Sequence, residues 1–309
     1  MAKMFDELLV KGDVTILGTL RTYGLLGNVY YVDSGHADTN DNNDGKNPKR
    51  PMATIDAAYN RTTANNNDFV LVAPRHAENI AAATGINMDK AGVTILGLKN
   101  GNLMPTVSFT AAAGSITIGA ANNTLKDIKL VANFATGVTV GITIAADGDG
   151  CTLDGIVMRD NAANKEFLKH IQVATTVTDL LIKRCSLVGL IAETMSNSIH
   201  FDGTSIDCVI EDTYIFVDSS DDVIDHLTAA GVNLTVRRCV IINQDTTTAL
   251  YCLRAHTNTT GVAHDNRFAY NKVDAEVSLG AAMWWFDNKA SNTIAESGLL
   301  DPATTHAIP

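Results

Sequence analysis

Five segments of the chain carry one pattern of apolar and polar positions: NTLKDIKL, CTLDGIVM, LLIKRCSL, CVIEDTYI and LTVRRCVI. Aligned on Leu125, Leu153, Ile182, Ile210 and Val236, they recur at intervals of 28, 29, 28 and 26 residues. Two positions before each anchor stand Asn123, Cys151, Leu180, Cys208 and Leu234. Three positions after come Ile128, Ile156, Cys185, Thr213 and Cys239, and five after come Leu130, Met158, Leu187, Ile215 and Ile241. Eighteen of these twenty positions are apolar or cysteine, so one buried face persists through all five repeats; Asn123 and Thr213 are the exceptions. Side chains two apart share one face of a strand. The three-residue step after the anchor breaks that alternation, so the chain must bend there. Each unit therefore reads strand, sharp bend, strand, with the polar pairs Lys126-Asp127, Asp154-Gly155, Lys183-Arg184, Glu211-Asp212 and Arg237-Arg238 at the bend.

A further strand precedes each bend: SITIGA, GITIAA, KHIQVA, NSIHFD, VIDHLT and YCLRAH, with AMWWFD as the last. No long amphipathic helix separates the repeats, which excludes a doubly wound sheet. Units of this size bury their inner faces only by stacking on neighbours. The pattern predicts an all-β fold, a right-handed parallel β-helix. Ile95 lies 30 residues before Leu125, and Arg267-Phe268 lie 29 after Arg238-Cys239, which extends the stack in both directions. With FVLVAP starting it, about seven or eight coils are expected, roughly 35–40 Å tall at one strand spacing per coil.

Composition agrees. Hydrophobic residues make up 46% of the 309 residues but aromatics only 6%, which suits thin β layers built from Ala, Val, Ile and Leu. A net charge of −11 argues against a nucleic-acid partner, which would need clustered Lys and Arg. MAKMFDELLVKGD has no signal-peptide core, and no apolar run is long enough to span a membrane, so synthesis in a cytoplasm is expected. The five cysteines are irregularly spaced and include no C-x-x-C pair, as expected of reduced buried thiols. Cys151 with Cys208, and Cys185 with Cys239, fall in inward columns and read as core.

Several residues are candidates for chemistry. Glu211-Asp212 has the composition of a glycosidase pair, but lies between Lys183-Arg184 and Arg237-Arg238 and reads as a charge ladder. Asp218, Asp221, Asp222 and Asp225 are candidate hydrolase carboxylates; their other reading is a solvated acidic loop. His170, His200, His226 and His256 recur near the coil period without falling into one register, and read as outward polar residues rather than metal ligands. Trp284 and Trp285 are adjacent in a strand, so one faces in and one out. The outward one is a candidate subunit contact, with sugar stacking as the alternative.

Residues 38–59, DTNDNNDGKNPKRPMATIDAAY, start like a calcium loop at Asn40, Asn42, Asp44 and Gly45 but place Pro51 where the twelfth, acidic ligand belongs. The wider run from YYVDS through NDFVLVAP to ENI resembles the N-terminal lead-in of pectin-lyase-like right-handed β-helix proteins. The resemblance implies a short helix, Ala53 to Tyr59, closing the open end of the coil with Ile55, Ala58 and Tyr59 facing in. KAGVTILGLKNGNLMPTVSF and the upstream DVTILGTLRTYGLLG further resemble structural proteins of tailed phages.

That likeness implies an attachment arm over residues 1–27, a β-helix domain over 28–289 and a tail over 290–309. The expectation is a phage virion structural protein, a homotrimer used as capsid decoration or fibre. Its arm would attach to the major capsid protein or another virion protein. It would use no cofactor, metal or catalytic residue and no membrane or nucleic acid. The alternative is a tailspike-type adhesin or depolymerase acting on host surface polysaccharide.

Overall fold

The computed structural model describes residues 27–100, 102–190, 195–245, 251–270, 277–278, 282–292 and 297–299. The arm expected at the N-terminus, and most of the C-terminal tail, lie outside these residues. Short parallel strands coil into a right-handed solenoid of about seven turns with three long sheets and one two-stranded pair, Val177–Thr178 on Ser205–Ile206. Sheet I has ten strands, from Val29–Val32 to Met283–Phe286, and includes all five anchors. Sheet II has eight strands, from Ile86–Met88 to Val277–Ser278. Sheet III has ten, nine parallel from Ala77–Ile80 to Lys289–Asn292 and a tenth, Ser297–Leu299, that adds antiparallel. Each coil runs II, I, III, as in Ile116–Ile118, Thr124–Lys126 and Lys129–Ala132.

The anchors stack in one register: Leu125 on Leu153, Leu153 on Ile182, Ile182 on Ile210, and Ile210 on Val236. The +5 column does the same from Leu130 through Met158, Leu187 and Ile215 to Ile241. The bend between sheets I and III is a single left-handed residue. Asp127, Gly155, Arg184, Asp212, Arg238, Asp265 and Asp287 occupy it with φ between 50° and 66°. Asn, Asp and Gly dominate such corners because other side chains clash there. The two arginines are held by carboxylates, Arg184 Nε on Asp154 Oδ1 at 2.9 Å and Arg238 Nε on Asp212 Oδ1 at 2.8 Å.

The interior is a continuous apolar column with buried cysteines. Its polar exceptions bond to backbone: Asn123 Oδ1 accepts from Val93 N–H at 3.0 Å, and Thr213 Oγ1 donates to the Glu211 carbonyl at 2.9 Å. Ile55–Asn60 forms the capping helix, with Ile55, Ala58 and Tyr59 buried and Thr54 as N-cap. The Tyr59 hydroxyl donates to the Lys90 carbonyl at 2.6 Å, tying the cap to the first turn. In the calcium-like loop, Asp41 Oδ1 accepts from Ala53 and Thr54 N–H at 2.8 and 2.9 Å, so the loop buttresses the helix start.

Two registers differ from expectation. Phe268 pairs with Ile241, not with Cys239. The residue level with Cys239 is Asn266, whose Oδ1 accepts from Cys239 N–H at 2.9 Å, and a search for apolar positions passes over it. AMWWFD is not a sheet II strand: Met283–Phe286 pairs with Gly261–His264 in sheet I.

Candidate functional site

Sheet II presents alternating residues to the outside, one per coil in register. Asn87, Thr117, Thr143, Gln172, His200, Asp225 and Arg254 form this column. Their flanking isoleucines, such as Ile142 and Ile144, point into the core and fix the direction of the polar residue between them. In the later coils the column becomes a network. Gln172 Nε2 donates to Asp202 Oδ2. His200 Nε2 lies 2.5 Å from Asp202 Oδ1, and Nδ1 lies 3.0 Å from Asp225 Oδ2, poorly aligned for a hydrogen bond. Beside them Asp222, only 1% exposed, accepts from Tyr251 N–H at 2.8 Å and from Arg254 Nη1 at 3.2 Å. The Arg254 guanidinium sits over the Tyr251 ring.

The Asp225 contact raises the pKa of His200, with Asp202 adding to it against burial and Lys169. The imidazole is thereby biased toward the cation, with carboxylates on either side. Burial raises the Asp222 carboxyl, and the bonds from Tyr251 and Arg254 offset part of that rise. Asp202 and Asp225 are separated by one imidazole ring and two short contacts. The ring occupies the space between them, so the two carboxylates hold the imidazole rather than flank a scissile bond. Asp202 is the most exposed of the three carboxylates, and a carboxylate beside an imidazole biased toward the cation is an arrangement for general acid–base work. Among the described residues, no group of three or more His, Cys, Asp or Glu converges to hold a metal ion.

The network joins residues weighed separately in the sequence. Asp222 and Asp225 come from the acidic run, His200 from the histidines. Asp221 stays local, its Oδ1 accepting from Asp222 N–H at 2.8 Å. Gln172 and Arg254 carry no sequence signal beyond their place in the outward column, and Asp202 none beyond standing two residues after His200. Asp202 and Asp225 meet across His200. The four histidines were read as outward, but only His200 and His256 reach the surface. His170 and His226 are buried against Phe167 and Phe201, with Nδ1 of His170 on Ser198 Oγ at 2.9 Å and Nε2 of His226 on Ser205 Oγ at 2.7 Å.

Glu211-Asp212 forms the expected ladder on the next coil's side, Glu211 Oε2 accepting from Arg237 Nε at 2.8 Å. Arg184 turns away from it to Asp154 on the preceding coil. Trp284 is the outward member of its pair, 72% exposed, and Trp285 packs against the core.

No protein-family model matches the chain, and no curated protein matches its sequence. Among solved structures, a pectin methylesterase in complex with a hexasaccharide superposes with a TM-score of 0.51 at 10% identity, over 90% of this chain and 92% of that one. Pectin methylesterase PemA from Erwinia chrysanthemi gives 0.50 at 10% identity over the same shares. Pectate lyase Pel9A gives 0.47 at 12% identity, over 84% and 80%. The chain thus has the pectin-lyase-like parallel β-helix fold. The expectation of a protein that is not an enzyme is overturned here: the solved proteins sharing this fold along nearly the whole chain are enzymes.

Proposed function

We propose that this protein acts on a polysaccharide laid across sheet II, in the manner of a tailspike-type depolymerase. The observation that carries the reading is the network Gln172–Asp202–His200–Asp225 beside Asp222–Arg254 at the outer face. Asp202, whose side chain is a third exposed, meets the substrate as base or nucleophile. Asp225 and Asp222, buried behind it, hold His200 and Arg254. The hexasaccharide bound by a pectin methylesterase of this fold supports a sugar chain as ligand. The test is release of reducing ends from capsular, lipopolysaccharide and cell-wall glycans. Asp202→Asn should lower turnover by about 10²–10⁴-fold, the contribution of a general base, with the fold intact by circular dichroism. Absence of turnover on every glycan, or an unaffected Asp202→Asn variant, would overturn the assignment.

A virion role fits the same protein, since a tailspike is both particle component and depolymerase. What favours it is a run of apolar side chains on the outer face of sheet III, with Tyr214, Phe216, Val240 and Ile242 stacked on adjacent strands. With exposed Trp284, this run supports a homotrimer attached to a particle through residues 1–27. Light scattering on wild type, Tyr214→Asp and Trp284→Ala reads the association directly: a wild-type monomer would sink the trimer.

A further inference from the structure

The network occupies only the later coils of sheet II. The first four members of its column, Asn87, Thr117, Thr143 and Gln172, carry no charge and are half-buried in one straight row. They repeat at the coil spacing of roughly 4.8 Å, close to the length of one sugar residue in an extended chain. The row offers hydroxyls and carboxamides, which donate and accept and so suit sugar hydroxyls.

Its surroundings set the sign of charge it tolerates. At one end Asp56 Oδ1 accepts from Asn87 N–H at 3.0 Å, and Asp89 Oδ2 accepts from Asn87 Nδ2 at 3.3 Å. At the other end stand Asp202, Asp222 and Asp225. The nearby cations are engaged elsewhere. Lys90 Nζ donates to the Asn60 and Thr62 carbonyls at 2.7 and 2.9 Å, Arg254 is held by Asp222, and His200 lies between two carboxylates. Lys169, on the Gln172 strand, bears on His200 at the network end of the row. A uronate on this row would meet Asp56 and Asp89 at one end and three carboxylates at the other, in a protein of net charge −11, with the Lys169 ammonium set against them at the network end.

We infer that the glycan accepted by this face is an uncharged chain running along the solenoid axis over Asn87, Thr117, Thr143 and Gln172 toward the His200 network. This rests on the polysaccharide reading above and names its substrate class. The experiment is binding of the full-length protein to an array of linear neutral glucans, mannans and galactans beside galacturonate, glucuronate and sialylated chains. Retention is expected on uncharged chains only. Thr117→Lys and Thr143→Lys, both outside the acid–base network, should weaken neutral binding by about tenfold through lost hydrogen bonds. They should also bring in measurable galacturonate binding. Preference of the wild type for acidic chains, binding unchanged by both lysine variants, or no retention on any chain overturns the inference. Turnover of an acidic polysaccharide that Asp202→Asn abolishes would overturn it while leaving the proposed activity standing.

Discussion

Cys151 and Cys208 share one inward column and Cys185 and Cys239 another, in each case two coils apart. At roughly 9–10 Å, that exceeds the reach of a disulfide. Burial pushes the Cys151 and Cys208 thiols up to about 11, and those of Cys185 and Cys239 up to about 12. Since the thiolate is the nucleophile, native protein should resist iodoacetamide at pH 8, and guanidinium-unfolded protein should take up five labels, one per cysteine. Mass spectrometry of the native sample showing labelled Cys185 or Cys239 would contradict their burial. Burial also lowers His170 to about 3, and lowers His226. The unfolded chain binds these protons near the ordinary histidine value of about 6.5 while the native state refuses them, so stability falls as pH drops below that value. Lowered Asp154, Glu211 and Asp212 add to the loss further down, near the ordinary carboxylate range. Raised His200 acts oppositely, contributing stability below about 6.5 and losing it as pH rises through its native value. His170→Gln keeps a partner for Ser198 and removes the titration. Its melting temperature should fall less between pH 7 and 4.5 than that of wild type.

At the scale of the strand and the bend, the ladder on sheet I is structural. Arg237 and Arg238 both reach Glu211 Oε2, at 2.7 and 2.9 Å, but both arginines are more than a third exposed, so water screens the pairs. Glu211→Ala should cost about 1 kcal/mol, lowering the melting temperature by a few degrees, and leave glycan turnover unchanged. Glu211→Lys should cost more, because it stacks a like charge between Lys183 and Arg237. The anchors of these strands were legible because Leu125, Leu153, Ile182, Ile210 and Val236 each sit three residues before a core residue across a one-residue bend. No insertion can enter so short a corner without breaking the register. The sheet II column was not legible. Its members are outward and polar, so nothing marks them apart from loop residues. The links to the next sheet II strand also vary in length, which put the four histidines out of step. Asp202 lies two residues beyond His200, just past the end of its strand at Phe201, and Asp225 one coil away. Only stacking brings both to one imidazole. The misplaced AMWWFD strand has the same origin, since its alternation suits either sheet and only pairing decides.

For the whole molecule, a solenoid has few contacts between distant coils, so its stability is close to a sum over neighbouring turns. The ends are where it opens. One end is closed by the helix Ile55–Asn60, with Thr54 capping its first turn and Asp41 holding the residues before it. The other ends in the antiparallel strand Ser297–Leu299, which turns the parallel stack aside at Lys289–Asn292. Both devices restrain edge-to-edge pairing. The consequence is a positional gradient in the response to a buried charge. Ile182→Asp places a carboxylate between Leu153 and Ile210 in the middle of the stack, with no cation within the apolar column. Neither half retains its neighbour, and the variant should be insoluble or unfolded. Ala263→Asp makes the same insult near the far end, where the residue stacks on Val236 and Trp285. The coils from Val29 to about Arg238 keep every contact they have among themselves, and the cap is untouched. Hydrogen exchange followed by mass spectrometry should therefore show wild-type protection for the Leu125, Leu153 and Ile182 strands in Ala263→Asp, with protection lost from Gly261–His264 onward. Uniform loss across all coils would mean that the stack melts as a single cooperative unit and that the nearest-neighbour account of its stability is wrong.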